Sequence, residues 1–239
     1  MNKPDHTKET TRTTDEEKPE RHLLAPHVWQ LKRSPSNLFN VYLIEDVLID
    51  TATRWDGPSL LKQLATTSLS QVALTHCHPD HQGAVKQICE SRGIPLACHE
   101  ADVASMEGRV PMQPRNVATQ LIELAFAGPA YPVQRVLHKG DEIAGFRIIH
   151  TPGHTAGHVI YFRESDRVAI VGDVLNGINI FTGKVGLHEP PAMFTLDRKE
   201  NRRSIRKLAQ LRPSLVCFGH GPVLYDMEQL DRFVAQLPS

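Results

Sequence analysis

The sequence predicts a mixed fold of strands and helices in which helices pack on sheet faces. Three features predict it. Apolar runs of strand length alternate with amphipathic runs of helix length over most of the 239 residues. Around Val72 to Cys98 a strand, a helix and a second strand follow in order, which implies parallel pairing with the helix lying on the sheet. The composition, 40% hydrophobic and 23% charged, suits one large domain or two small ones.

The elements follow in chain order. Residues 1–22 carry eleven charged side chains and, after Met1, no strongly apolar one. Such a segment cannot bury enough surface to offset its ordering entropy, so a disordered, charged tail is expected there. Order is expected from Leu23. His27–Leu31 and Leu38–Ile44 alternate as strands do, and Glu45-Asp46 turns the chain into the buried strand Val47–Ile49. Asp50 closes that strand, either as a partner behind a ligating imidazole or as an ordinary strand-end acid. A short helix is expected over Pro58–Leu64, a strand over 71–75, a helix from Asp80 to about Ser91 and a strand over Ile94–Cys98. From His99 to Tyr131 the alternation breaks down, leaving either a helical cover over a cleft or a packed excursion. Strands resume at Phe146–His150, Val159–Phe162 and Val168–Val171, followed by a long loop from Val174 to Leu196. A helix over Arg198–Leu211, a strand over Leu215–Phe218 and a final amphipathic helix complete the chain. The basic run of the 198–211 helix reads as a solvated face, with anion binding as the lesser alternative.

Several classes are excluded or disfavoured by composition. Net charge is zero, with 27 basic and 27 acidic residues, so no basic excess points to nucleic acid. No apolar run approaches the ~20 residues of a membrane helix, and the N-terminus lacks a signal-peptide core. Cys77, Cys89, Cys98 and Cys217 form no CxxC pair and read as free thiols of a cytoplasmic protein. A small-molecule substrate is the expected partner. Monomer and homodimer stay equally open.

The densest chemistry lies in Thr75-His76-Cys77-His78-Pro79-Asp80-His81-Gln82-Gly83. Three imidazoles and a carboxylate within six residues form a ligand set for a borderline metal such as zinc, placed where a strand hands over to a helix. Asp80, in the first helical turn, offsets the repulsion between a cation and the helix N-terminus. Cys77 is expected to point away and pack. Three further ligand-type residues stand at strand ends beside glycine: His154 in Pro-Gly-His-Thr-Ala-Gly-His, Asp173 in Val-Gly-Asp and His220 in Phe-Gly-His-Gly. Glycine there lets the backbone turn sharply and approach an ion closely. His99, His138 and His188 are expected at the surface.

In this order, His-x-His-x-Asp-His, Thr-Pro-Gly-His-Thr-x-Gly-His, Gly-Asp and Gly-His-Gly, the motifs resemble those of the metallo-β-lactamase superfamily, and within it the glyoxalase II-like hydrolases. The resemblance runs over residues 23–239. It implies a single αββα sandwich domain, two mixed sheets face to face with helices outside, and a dinuclear metal centre at a sheet edge. His76, His78 and His154 would bind one metal; Asp80, His81 and His220 the other; Asp173 would bridge. Two Zn²⁺ are expected, with iron or manganese as alternatives. The implied reaction is hydrolysis of a small ester, thioester or lactone by metal-activated hydroxide, with Asp80 as the catalytic carboxylate. His158 is placed behind the ligands, as Asp50 is, and His150 is given a structural or supporting role.

The resemblance determines the engine better than the substrate. The chain ends about 20 residues after His220, so the glutathione-holding helical domain of glyoxalase II enzymes is not expected. The segment after the bridging Asp matches neither the persulfide dioxygenases nor, with Asn176 in place of a tyrosine, the acyl-homoserine lactonases. A mononuclear iron sulfur dioxygenase and, behind it, a metal-dependent nuclease are the alternatives. From position alone, Arg54, Trp55, Asn176, Phe181, Lys184 and Phe194 are candidates for the substrate pocket, with loop packing or solvated charge as the competing reading.

Overall fold

The computed structural model describes residues 21–33, 35 and 37–238. The charged tail falls outside these residues except for Arg21 and His22, which already belong to the first strand, two residues before the expected start of order. The strands β1 (Arg21–Ala25), β2 (Val28–Leu31), β3 (Tyr42–Ile44), β4 (Val47–Ile49), β5 (Gln71–Ala73), β6 (Leu96–His99) and β7 (Arg135–Leu137) form one sheet in that order. It is antiparallel from β1 to β4 and parallel from β4 to β7. The parallel half is connected through α1 (Gly57–Gln63), the pair α2 (Pro79–Gln82) and α3 (Val85–Arg92), and α4 (Glu100–Met106) with α5 (Val117–Phe126).

The second sheet is built from β8 (Glu142–Ile143), β9 (Phe146–His150), β10 (Val159–Arg163), β11 (Val168–Gly172) and a last strand at Leu215–Phe218 that pairs parallel with β11. Between β11 and that last strand come a small hairpin, β12 (Asn176–Ile178) and β13 (Val185–His188), and helix α6 (Arg198–Gln210). The last strand is β14, and α7 (Met227–Ala235) follows it. The expected long loop over 174–196 is therefore largely this hairpin and a 3₁₀ turn at Ala192–Phe194.

Period-two alternation divides the core into layers. In β3, β4, β9, β10 and β11 the residues Tyr42, Ile44, Val47, Ile49, Phe146, Ile148, Val159, Tyr161, Val168 and Ile170 all face the space between the sheets. Their neighbours Leu43 and Leu48 turn outward onto Leu60, Val85 and Ile88 of α1 and α3. Ile160, Phe162, Ala169 and Val171 turn the other way, onto Ile205, Leu208 and Leu230 of α6 and α7. Every face is covered, which is why these strands read as nearly unbroken apolar runs. The result is the αββα sandwich.

Three expectations need correction. The helix from Asp80 to Ser91 is two helices, because Gly83 leaves the helical ladder to donate its N–H to the Ala52 carbonyl (2.8 Å). The strand expected over 38–44 begins only at Tyr42; Leu38 and Phe39 lie at the mouth of a cleft. His99 is buried rather than exposed, stacked on His150 with ring centroids 4.1 Å apart while its Nδ1 caps α4 through the Ala101 N–H. Burial and the neighbouring His150 push its pKa down to about 4. His138 is exposed and His188 half-buried, and the four cysteines are all buried free thiols, Cys77 and Cys98 within one apolar cluster. Among the described residues no helix is long and apolar enough to cross a membrane. The basic run of α6 is largely engaged locally: Arg202 pairs with Glu189 (2.9 Å), Arg203 pairs with Glu200, and Lys207 Nζ donates to the His150 carbonyl (2.6 Å).

Candidate metal centre

Four stretches of chain meet at one edge of the sandwich. The 76–81 turn follows β5, His154 sits between β9 and β10, Asp173 follows β11, and His220 follows β14. They form three overlapping groups of donor atoms, each group within 4.8 Å: His76, His78 and His154; His76, His81 and Asp173; Asp80, His81 and His220. Asp173 stands between the two ends, its oxygens 2.9 Å from His220 Nε2, 3.4 Å from His81 Nε2 and 3.7 Å from His154 Nε2. Asp80 lies 3.3 Å from His220 Nε2.

The imidazoles are oriented from behind. His81 Nδ1 donates to Asp50 Oδ2 (2.8 Å), and His78 Nε2 donates to the Gln113 carbonyl (3.0 Å). His220 Nδ1 donates to the Leu38 carbonyl. Thr75 Oγ1 gives its own proton to Asp50 (2.7 Å), so it accepts from His76 Nδ1 (3.0 Å). Thr195 Oγ1 donates to the Pro191 carbonyl (3.0 Å) and in the same way accepts from His154 Nδ1 (3.4 Å). With one ring nitrogen of each neutral histidine committed as a donor, the other presents a lone pair to the centre. His76 Nε2, His81 Nε2, His154 Nε2 and Asp173 Oδ1 are buried without a hydrogen-bond partner. Buried polar atoms of native proteins are rarely left so, and four converging on one point fit a cation.

Electrostatics make the same demand. Asp50 and Asp173 are buried and Asp80 half-buried, and among the described residues their ion-pair partners are all imidazoles. Burial, reinforced by neighbouring imidazoles, keeps His76 and His154 well below the usual imidazole range, so both are neutral and suited to ligation. Burial also lowers His81 and His220, but the carboxylates outweigh it: His81 rises well above the usual range and His220 to about 10. Burial pushes Asp173 up, yet His220 and His81 hold it well below the usual carboxylate range. Uncompensated buried carboxylates are costly, so positive charge is required here, as protons or as metal ions.

Local backbone explains how the donors come so close. Gly172 has φ 49°, and a Cβ there would lie 2.7 Å from Thr75 Cβ and 2.9 Å from His158 Nε2. A Cβ on Gly219 would lie 2.1 Å from Asp173 Oδ1. His158, with Nδ1 against Thr151 Oγ1 (2.9 Å), accepts the Asp173 backbone N–H on Nε2 (3.0 Å) and so anchors the residue rather than facing the centre. Burial lowers its pKa to about 3, which keeps that nitrogen an acceptor. His150 Nε2 donates to the Ala156 carbonyl (2.9 Å), bracing the turn that carries His154. Asp50, at φ 61°, also accepts the Thr75 N–H (2.8 Å) and thereby joins the strand end to both His76 and His81. Asp50→Asn is therefore expected to weaken metal binding by about 10- to 100-fold, measured by chelator competition.

A cleft opens beside these groups. Of the residues singled out by position, Asn176, Phe181 and Phe194 line it. Arg54 and Trp55 do not. They grip the C-terminal end of α5 from outside, through Arg54 Nη2 to the Leu124 carbonyl (2.7 Å) and Trp55 Nε1 to the Ala125 carbonyl (3.0 Å). Lys184 lies in the turn of the β12–β13 hairpin and does not line the cleft. Sequence reasoning missed Leu38 and Phe39, and it left Met112, Gln113 and the α5 residues Thr119, Ile122 and Phe126 unassigned within the 99–132 segment; all line the cleft. Part of that segment covers the cleft and part packs in the core: α5 turns Ile122 and Phe126 inward while Val117, Leu121 and Leu124 face solvent, and Met106, Val103 and Tyr131 pack with the core cluster. Asp102 was also missed. It is buried and accepts from the Cys77 N–H (3.1 Å), Thr155 Oγ1 (2.9 Å) and the Gly157 N–H (2.7 Å), locking the first ligand turn to the second. Nothing in the sequence marks it, since an acid in the first turn of a helix is commonplace.

Comparison with known proteins places these features in a family. A family model described as the metallo-beta-lactamase superfamily matches residues 40–220. The chain is 29% identical over 223 residues to the probable metallo-hydrolase YybB of Bacillus subtilis, covering 89% of this chain and 96% of that protein. It is 31% identical over 157 residues to the hydroxyacylglutathione hydrolase GloC of Haemophilus influenzae, covering 64% and 69%. The crystal structure of TTHA1623 in a di-iron-bound form superposes with a TM-score of 0.61 at 30% identity, over 82% of this chain and 93% of that one.

Proposed function

The chain belongs to the metallo-β-lactamase superfamily and is a metal-dependent hydrolase; from that premise we propose that it carries two divalent cations and cleaves a small ester, thioester or lactone. The observation that carries the reading is the convergence of five imidazoles and two carboxylates, four of their atoms buried and unpartnered, at the end of a cleft. His76, His78 and His154 would hold one ion, and Asp80, His81 and His220 the other, with Asp173 between them. Bound there, the pair would supply an acidified water and a Lewis acid for the substrate carbonyl.

The residues of the chain do the rest. Asp173 keeps both ends of the site in register, its backbone tied to His158 and its carboxylate within reach of His81, His154 and His220. Asp80 lines the cleft. Burial raises its pKa, but the hydrogen bond and charge of His220, with the charge of His81, bring it below the usual carboxylate value, so it is ionised at neutral pH. It can take a proton from the attacking water and hand it to the departing oxygen or sulfur. The α5 cover narrows access of bulk water to that transfer. Zinc is the first assignment; the di-iron relative makes iron the alternative, with manganese behind it. A dioxygenase using two His and one Asp would leave most of this donor set idle.

The test is metal analysis of purified protein coupled to a panel of thioesters, esters, lactones and phosphodiesters. Two metal equivalents per chain are expected, with carboxyl-ester or thioester turnover that chelation abolishes and metal restores. Oxygen uptake with a single iron, or turnover confined to phosphodiesters, would overturn the reading.

A further inference from the structure

Beyond the candidate ligands, the cleft is almost wholly apolar. Its cavity of about 240 Å³ is bounded by Phe39, by Ile122 and Phe126 of α5, and by Phe181 and Phe194 beyond β12. Among the described residues no lysine or arginine lines it. Three polar side chains besides the candidate ligands do: Gln113, Thr119 and Asn176. The Thr119 hydroxyl is committed to capping α5, accepting the Asn116 N–H and donating to the Asn116 carbonyl, both at 2.9 Å. Asn176 is 1% exposed and its Oδ1 has no partner.

On the premise that this cleft is the hydrolytic site, we propose that the substrate is a small ester, thioester or lactone whose acyl part is apolar and uncharged. The acyl chain would lie between the inner face of α5 and Phe181 and Phe194, with Asn176 offering its amide to the polar atoms near the scissile bond. Such a wall gains from each methylene removed from water. It offers nothing to a carboxylate held away from the reacting carbonyl, because burying an unpaired charge is costly and among the described residues no cationic side chain is there to meet it. A substrate whose remote end carries a carboxylate, as a glutathione conjugate does, is therefore disfavoured. The outward stripe of Val117, Leu121 and Leu124 takes no part, so the inner and outer faces of α5 can be tested separately.

The experiment uses the metal-loaded full chain and p-nitrophenyl esters from acetyl to octanoyl, with ω-carboxy-acyl esters of matched length. Matched neutral and ω-carboxy amides are titrated calorimetrically as non-reacting ligands. We expect kcat/KM to rise about threefold to fourfold per methylene until the cavity is full. Each ω-carboxy ester should fall at least about 100-fold below its neutral counterpart. Ile122→Arg should raise turnover of the ω-carboxy esters at least about tenfold and lower that of the octanoyl ester. Ile122→Ala, which folds if the arginine variant does not, should move the optimum to longer chains. Leu121→Arg, on the outer face, should change neither series. Hydrolysis that is flat with length, or that favours the ω-carboxy esters, overturns the inference and leaves the hydrolase reading intact. Absence of hydrolysis together with amide binding that strengthens with chain length supports the apolar, uncharged character of the pocket and overturns the ester-cleaving reading. Absence of both overturns the two together.

Discussion

Asp173→Ala is expected to lose at least one metal equivalent per chain and about ten-thousandfold in kcat, the largest effect of any single change in this protein. The reason is geometric. One carboxylate lies 2.9 Å from His220 Nε2, 3.4 Å from His81 Nε2 and 3.7 Å from His154 Nε2, so its loss removes a donor from both ends of the site at once. It also removes the negative charge that opposes two cations, leaving the ions to repel one another in a buried setting. Metal analysis by mass spectrometry beside steady-state kinetics checks it. Asp173→Asn should restore the side-chain volume without restoring the charge, so it should recover thermal stability before activity. An alanine variant with two metals and near-normal turnover would show that Asp173 is not needed to hold the ions.

Asp80→Ala is expected to lower kcat at least about a thousandfold while a metal in the His76, His78 and His154 group stays bound. Asp80 stands at the other end of the site from that group, 3.3 Å from His220, and it faces the cleft. Two roles converge on it: holding an ion with His81 and His220, and moving the proton of the attacking water. Asp80→Asn separates them, since the amide can still offer an oxygen but cannot accept that proton at neutral pH. The expected signature is a variant with largely retained metal content and strongly reduced kcat. The carboxylate acts in its ionised form and its pKa lies below the usual value, so its contribution is present at neutral pH and is lost as pH drops through that value.

Legibility differed by residue for a physical reason. The 76–81 cluster could be read because its ligands are nearly contiguous, and one strand-to-helix turn presents them all. His154, Asp173 and His220 could be singled out because each follows a strand-like run beside a glycine, and at Gly172 and Gly219 the close approach that motivates glycine is present. The partners behind the imidazoles were far less visible. Leu38, whose carbonyl orients His220, is 182 residues away from it in sequence, and Asp102 reaches Gly157 across 55. Leucine carries no chemical signal for a backbone acceptor, and Asp102 and Thr195 resemble any capping acid or loop threonine. The same limit explains Arg54 and Trp55. Both lie just beyond the strand that Asp50 closes, but side-chain direction sends them to the outer side of α5.

Taken by itself, the sequence marked the strand-length apolar runs and the donor-type residues of the 76–81 turn, His154, Asp173 and His220, and the resemblance of those motifs implied the sandwich and the ligand set. The inner or outer face of each buried strand residue was decided by the structure, because strands covered on both sides read as unbroken apolar runs. Only the tertiary structure decided which nitrogen each imidazole presents, which side chains wall the cleft, and that α5 covers it. Those outcomes depend on contacts between residues far apart in the chain, and a local pattern carries no record of where two distant surfaces meet.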